Sequence, residues 1–269
     1  MTDGNEHEYP STLSIAVSDV DGDGRVDMLI GNHDNQNQVL LNKEKFGYVE
    51  VSNAFAGDQS ETRVIAVADL NGDGLPDLVI GNMDKPNQVL LNQGESFREV
   101  FSDVSADASL TLSVAVGDLN GDGLPDIIIG NIGPNQVLWN KGDGKFEESD
   151  VNLPGRATRV LALADVNADG HLDIIIGNTR EPIRLMLNQG DGTFQESIDA
   201  IPGDYDEDAR DYDSVTTITV ADMNNDGFID IVIGDVKEEP NQLLLNQGDG
   251  TFQEIEGGRY TRFSMVPYL

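Results

Sequence analysis

The chain has 269 residues, 38% of them hydrophobic, with 29 glycines and no cysteine, which allows a sizeable core and excludes a disulfide framework. Its 49 Asp and Glu against 16 Lys and Arg give a formal charge of -33, which sets aside nucleic acid and anionic membrane surfaces as partners. No apolar run approaches the ~20 residues of a membrane-spanning helix, and residues 1–10 are polar rather than signal-like.

From residue 11 onward one unit recurs. A short apolar run (residues 13–17) leads into Asp19-Val20-Asp21-Gly22-Asp23-Gly24-Arg25-Val26-Asp27, and a second apolar run (28–30) follows. A third strand is expected at residues 37–42, with the sequence Asn-Gln-Val-Leu-Leu-Asn. The same order returns with loops beginning at Asp69, Asp118, Asp165 and Asp222, at spacings of 50, 49, 47 and 57 residues. In later units a Gly-Asp-Gly turn at 142–144, 190–192 or 248–250 leads into a short fourth strand opened by Phe146, Phe194 or Phe252. The second runs are β-branched and continuous, as in strands buried on both faces. Three residues before each loop stands Ala16, Ala66, Ala115, Ala162 or Thr219, small enough for innermost strands to converge. Four short strands per unit with no helical period predict an all-β fold, a β-propeller of about five four-stranded blades. The repeats run over about 11–57, 58–106, 107–153, 154–202 and 214–256 of a single domain at 11–269. Residues 259–266 read as a partial sixth strand that lacks the metal Asp.

Each loop places oxygen-bearing side chains at offsets 1, 3, 5 and 9. These are Asp19, Asp21, Asp23 and Asp27; Asp69, Asn71, Asp73 and Asp77; Asp118, Asn120, Asp122 and Asp126; Asp165, Asn167, Asp169 and Asp173; and Asp222, Asn224, Asp226 and Asp230. Hard oxygen donors in this number suit Ca²⁺ better than softer metals, and the glycine at offset 6 lets the chain turn around the ion. Turns rich in Asp and Gly form without metal too, but five copies with one oxygen pattern favour about five calcium ions. An EF-hand would need Glu at offset 12, where Ile30, Ile80, Ile129, Ile176 and Ile233 stand. Five bound Ca²⁺ would bring the formal charge from -33 to -23. Weak calcium sites serve mainly outside the cell, so an extracellular or secreted setting is expected.

The order of a strand, Asp-x-Asn-x-Asp-Gly-x-x-Asp, and then a run such as Leu-Val-Ile-Gly-Asn (78–82) resembles the FG-GAP/VCBS repeat. That repeat is the blade unit of integrin α-subunit propellers and of many secreted bacterial and fungal proteins. The resemblance covers residues from about 12 to 252. It implies that the offset-7 carbonyls of Arg25, Leu75, Leu124, His171 and Phe228 also bind Ca²⁺. Gly-Asn (Gly31-Asn32, Gly81-Asn82, Gly130-Asn131, Gly177-Asn178) or Gly234-Asp235 stands in place of the family's Gly-Ala-Pro, nearer the VCBS-like branch.

Other features carry two readings each. Residues 204–213, an acidic insertion with Tyr205 and Tyr212, form either a solvated loop or a ligand site. The Asn-Gln pairs at 37–38, 87–88, 135–136 and 241–242, replaced by Ile183-Arg184 in the fourth unit, suit amides that satisfy backbone groups between blades. Repeated sugar pockets are the alternative. Trp139, the single tryptophan, replaces a leucine of the other units and reads as core or half-buried packing, with a sugar platform as the alternative. His7, His33 and His171 come without a nucleophile or zinc spacing. The leading function is a calcium-binding, non-catalytic recognition or adhesion propeller for a protein or glycan ligand. The alternative is the scaffold of a calcium-dependent polysaccharide-acting enzyme.

Overall fold

The computed structural model describes residues 11–33, 35–44, 47–51, 61–94, 96–102, 110–155, 157–179, 181–198, 200–202, 215–235 and 241–255. The sixth strand expected at 259–266 and the acidic stretch 204–213 lie outside the described residues.

Among the described residues the fold is all-β and of the propeller class: five four-stranded antiparallel sheets, each a blade with its strands in sequence order. No helix among the described residues is long and apolar enough to cross a membrane. Residues 1–111 form one compact unit and residues 112–269 a second. The first unit holds blade one, with β1 (Ser11–Ser18), β2 (Asp27–His33), β3 (Gln38–Glu44) and β4 (Gly47–Glu50). It also holds blade two, with β5 (Thr62–Ala68), β6 (Asp77–Asn82), β7 (Gln88–Asn92) and β8 (Phe97–Ser102).

Blade three of the second unit comprises β9 (Leu110–Gly117, which begins at the boundary), β10 (Asp126–Ile132), β11 (Gln136–Asn140) and β12 (Phe146–Glu148). Blade four comprises β13 (Thr158–Ala164), β14 (Asp173–Asn178), β15 (Arg184–Asn188) and β16 (Phe194–Glu196). Blade five comprises β17 (Val215–Ala221), β18 (Asp230–Asp235), β19 (Gln242–Asn246) and β20 (Phe252–Glu254).

The second strand of each blade is its most buried element, because covered faces on both sides select continuous β-branched residues. Ile127, Ile128 and Ile129 of β10, and Ile174, Ile175 and Ile176 of β14, are all essentially inaccessible. In the first unit the core joins Leu29 and Val39 to Ile65, Leu78, Ile80 and Leu90. In the second, one cluster runs from Leu119 and Ile128 to Leu161, Ile174 and Ile176, and another from Ile175 and Leu185 to Ile231, Ile233 and Leu244.

Neighbouring blades within a unit approach closely at the Gly-Asn step. A Cβ on Gly130 would lie 2.8 Å from Thr158 Cγ2 of the next blade, so only glycine leaves room. The amides beside this step join the blades. Asn37 Oδ1 accepts from the Asn32 N–H at 2.9 Å, and Asn37 Nδ2 donates to Thr62 Oγ1 at 2.8 Å. The Thr62 hydroxyl in turn donates to Asn82 Oδ1 at 3.0 Å. Asn37 therefore bridges the first two blades as the sequence suggests, and Asn135 donates to Pro154 O in the segment that leads to blade four. The glutamines do something else: Gln38, Gln88 and Gln136 each donate to a glutamate on the fourth strand of their own blade. In blade four Arg184 keeps that cross-strand contact, to Glu196 at 2.5 Å.

Candidate metal centres and an adjoining cleft

All five loops join the first and second strands of their blades, and burial grades the candidate ligands along each. The offset-1 aspartates are half-buried, the offset-5 aspartates are exposed, and the offset-9 aspartates (Asp27, Asp77, Asp126, Asp173, Asp230) are inaccessible. Side-chain oxygens fold the loop around itself. In the fifth, Asp222 Oδ1 and Oδ2 accept from the N–H groups of Asp226 (3.1 Å) and Gly227 (2.9 Å). Asn224 Oδ1 accepts from Asp226 N, and Asp226 Oδ1 from Phe228 N. The same bonds recur around Asp19, Asp69, Asp118 and Asp165.

The offset-9 aspartate has a second duty that spacing alone does not reveal. Asp173 Oδ2 accepts from Val166 N at 2.9 Å and Oδ1 from Asn188 N at 2.8 Å, tying the loop to the end of the third strand. Asn188 Nδ2 then donates to Leu119 O of the preceding blade at 2.8 Å. Asn92 and Asn246 reach back the same way, to Val20 O and Val166 O. An Asn closes the third strand in every unit (Asn42, Asn92, Asn140, Asn188, Asn246), but its recurrence does not name the aspartate it meets.

Oxygens that share one Ca²⁺ sit 2.3–2.6 Å from it, hence no more than about 5 Å apart. In the first loop carboxylate oxygens of Asp19, Asp21 and Asp27 all lie within 4.8 Å of one another, which fits. In the other four, offset 3 is Asn, whose amide oxygen preserves an all-oxygen set with one charge fewer. Electrostatics point the same way. Burial, reinforced by Asp122 and Asp118, pushes Asp126 up to about 6 against the pull of its two N–H donors. Asp173 is likewise raised to about 6, and Asp77 is raised, burial being the first cause in each. Carboxylates raised by burial and, to a lesser degree, by neighbouring acids are ones that a nearby cation would relieve.

The first loop differs in carrying its own cations: Lys43 Nζ binds Asp21 Oδ2, and the Arg25 guanidinium binds Asp23 Oδ2. Lys43 holds the Asp21 carboxyl below its ordinary value. His171 places its imidazole against the Gly190 backbone, and Phe228 packs on Gly248 in the same manner, so these side chains brace the hairpin of their own blade.

Between blades three and four of the second unit opens a cleft of about 670 Å³. Trp139 and Phe194, both half-buried, meet Asn120, Asp150, Asn152 and Asp191 at its walls. Trp139 also packs on the cluster around Leu119 and Met186, the half-buried one of the two packing positions expected for it, while part of it borders this space. At the equivalent strand-three position the other blades carry Leu41, Leu91, Leu187 and Leu245, so Trp139 sets this cleft apart.

A family model described as FG-GAP-like repeat matches residues 19–80, 69–129, 118–176 and 165–233. The chain belongs to the FG-GAP-like repeat family. Each match runs from the first Asp of one loop to the offset-12 isoleucine after the next, so the family's repeat is the blade-to-blade unit described above. Among solved structures, the chain is similar to an Agrocybe aegerita lectin studied for specific recognition of non-reducing terminal N-acetylglucosamine. The two share 23% identity with a TM-score of 0.64, over 92% of this chain and 68% of the lectin. It also matches the Photorhabdus luminescens Tc holotoxin pore at 17% identity and a TM-score of 0.49, over 90% of this chain and 12% of the toxin chain. No curated protein matches the sequence significantly.

Proposed function

We propose that this FG-GAP-like repeat protein is a calcium-stabilised, non-catalytic recognition propeller that works outside the cell and binds a glycan in the cleft between its third and fourth blades. The observation that carries the glycan reading is the make-up of that cleft. Two half-buried aromatic rings, Trp139 and Phe194, lie beside exposed Asp150, Asn152 and Asp191. Sugar rings offer apolar C–H faces that stack on aromatics and hydroxyls that pair with carboxylates and amides, so such a mixed wall suits them. The likeness in fold to a lectin that recognises terminal N-acetylglucosamine makes that sugar the first probe.

Calcium supports the scaffold rather than the chemistry in this reading. Each loop gathers three or four carboxylates, and a cation bound only by the folded state stabilises it by about 2.7 kcal/mol per site at 100 times Kd. Extracellular calcium is high enough to fill weak sites of this kind, which fits a chain without cysteine that needs another staple.

The test is a glycan array probed in millimolar Ca²⁺ and in chelator, followed by a search for new reducing or unsaturated ends with any glycan that binds. Binding without turnover, weakened by Trp139→Ala, is expected. Turnover would move the protein to the polysaccharide-acting class, and an array with no hits would remove the glycan reading. A melting curve unmoved by chelation would remove the calcium reading.

A further inference from the structure

The third loop differs from its neighbours in one amide. In the second, fourth and fifth loops the offset-3 Asn donates Nδ2 to the offset-5 carboxylate, Asn71 to Asp73 at 3.0 Å, Asn167 to Asp169 at 2.8 Å and Asn224 to Asp226 at 2.7 Å. Asn120 keeps the other half of the pattern, its Oδ1 accepting from Asp122 N at 2.9 Å. Among the described residues, however, its Nδ2 finds no hydrogen-bond acceptor, and Asn120 is the one residue of a metal loop that lines the cleft.

The loop and the cleft also share a wall through Gly192. A Cβ on that glycine would lie 3.3 Å from Trp139 Cη2 and 3.5 Å from Asn120 Cβ, so its bare backbone sits between the ring and the loop. Asn120 and the tryptophan thus flank the same glycine, so Trp139 emission is a reporter placed next to the loop. An amide has two ends of opposite polarity, an acceptor and a donor, and can satisfy a cation and a ligand oxygen together.

We propose that Asn120 serves both sites at once: its Oδ1 belongs to the third loop and that loop's cation, while its Nδ2 donates to a hydroxyl or acetamido oxygen of a sugar in the cleft. Ligand binding there is then linked to cation binding at the third loop. This rests on the glycan and calcium readings above and adds the residue that couples them. Linkage is reciprocal, so sugar should tighten calcium at this loop by the same factor that calcium tightens sugar.

Two substitutions separate the roles. Asn120→Asp keeps an oxygen for the cation and adds the charge that Asp21 has in the first loop, but it removes the donor. It should bind calcium at least as tightly as wild type, with the Trp139 emission change on calcium addition preserved, yet lose at least tenfold in affinity for N-acetylglucosamine. Asn120→Ala should lose the sugar to the same degree and need at least tenfold more calcium to move Trp139 emission. Both are measured by calorimetry and fluorescence after circular dichroism has verified folding. Sugar affinity in Asn120→Asp equal to wild type would overturn the donor role. Wild-type sugar affinity unchanged by chelation would overturn the linkage, and if chelation unfolds the chain, the Asn120→Asp comparison in millimolar calcium still decides. If wild type binds no sugar on the array, the glycan reading falls by itself. Trp139 emission then judges the shared wall: a calcium response that Asn120→Ala abolishes supports it, and no response overturns it.

Discussion

Asp126 Oδ1 accepts the backbone N–H of Asn140 at 2.8 Å, while its Oδ2 accepts that of Leu119 at 3.0 Å. One inaccessible carboxylate thus closes the third loop and pins it to the end of β11, and each of the other loops repeats the arrangement. The offset-9 aspartate is a structural clamp whether or not it also holds a cation. Asp126→Ala should therefore destabilise by about 2–4 kcal/mol even without calcium, because two buried N–H groups lose their acceptor. Asp122→Ala, which removes an exposed carboxylate bonded to Leu124 N, should cost less than about 1 kcal/mol in chelator and show its larger effect only with calcium present. Urea unfolding of both variants with and without EDTA measures this. Equal losses in chelator would remove the distinction between clamp and ligand.

The same carboxylates predict a pH dependence for the calcium-stripped protein. Asp126 and Asp173 stand at about 6 when folded, above the ordinary carboxylate value they regain on unfolding. Between those two values the folded state holds more protons, so its stability should rise as pH falls from 7 towards 4 and be lost as pH rises through 6. In saturating calcium the order should invert, since protons then compete with the cation. Melting temperatures at pH 5 and pH 7 test the sign. Asp173→Asn should flatten the calcium-free slope, and an unchanged slope would assign it to the general acidity of the chain instead.

The loops were legible because their chemistry is local: oxygens at fixed offsets and a glycine fall within nine residues. The second strands were legible because burial on both faces leaves one kind of residue, as Ile174, Ile175 and Ile176 show. The clamp was not, since Asp173 and Asn188 meet only across a strand pair, and nothing in either residue names its partner. The cleft was less visible still. Asn120, Trp139, Asp150 and Asp191 come from two blades, and only the replacement of a leucine by Trp139 hinted at it. Gln38 and its counterparts read as bridges between blades because they sit beside asparagines that are, yet alternation along the strand turns them towards the neighbouring strand of their own blade.

Backbone strain offers a stabilising substitution. At offset 4 the first three loops carry Gly22, Gly72 and Gly121 at φ between 72 and 75, whereas the fourth and fifth hold Ala168 at φ 59 and Asn225 at φ 61. The left-handed region costs an alanine about 1 kcal/mol. Ala168→Gly should stabilise by at most about 0.6 kcal/mol once the ~0.4–1 kcal/mol of extra entropy of an unfolded glycine is set against that strain. Asn225→Gly should gain less, because asparagine tolerates this conformation better. Chemical denaturation in calcium measures both, and a loss of stability in Ala168→Gly would show that the loop is not strained there.

The first loop should bind its cation against internal competition. Lys43 Nζ binds Asp21 Oδ2 and stands 3.9 Å from Asp23 Oδ2, and binding raises the affinity of its own amine for a proton. At the matching position the other units carry Gln93, Lys141, Gln189 and Gln247, and Lys141 turns instead to Glu147 at 3.3 Å. A cation entering the first loop has to displace the ammonium or bind beside it. One unit charge at ~6 Å in water opposes a second by about 0.7 kcal/mol, roughly threefold in Kd per charge on the ion. Lys43→Gln should thus tighten calcium at one site of the five by about threefold to tenfold, most clearly at low salt, where screening is weak. Calorimetric titration resolves it as one class of sites moving while the rest stay in place. An unchanged isotherm would mean that Lys43 leaves the loop without cost and that the first site is equivalent to the others.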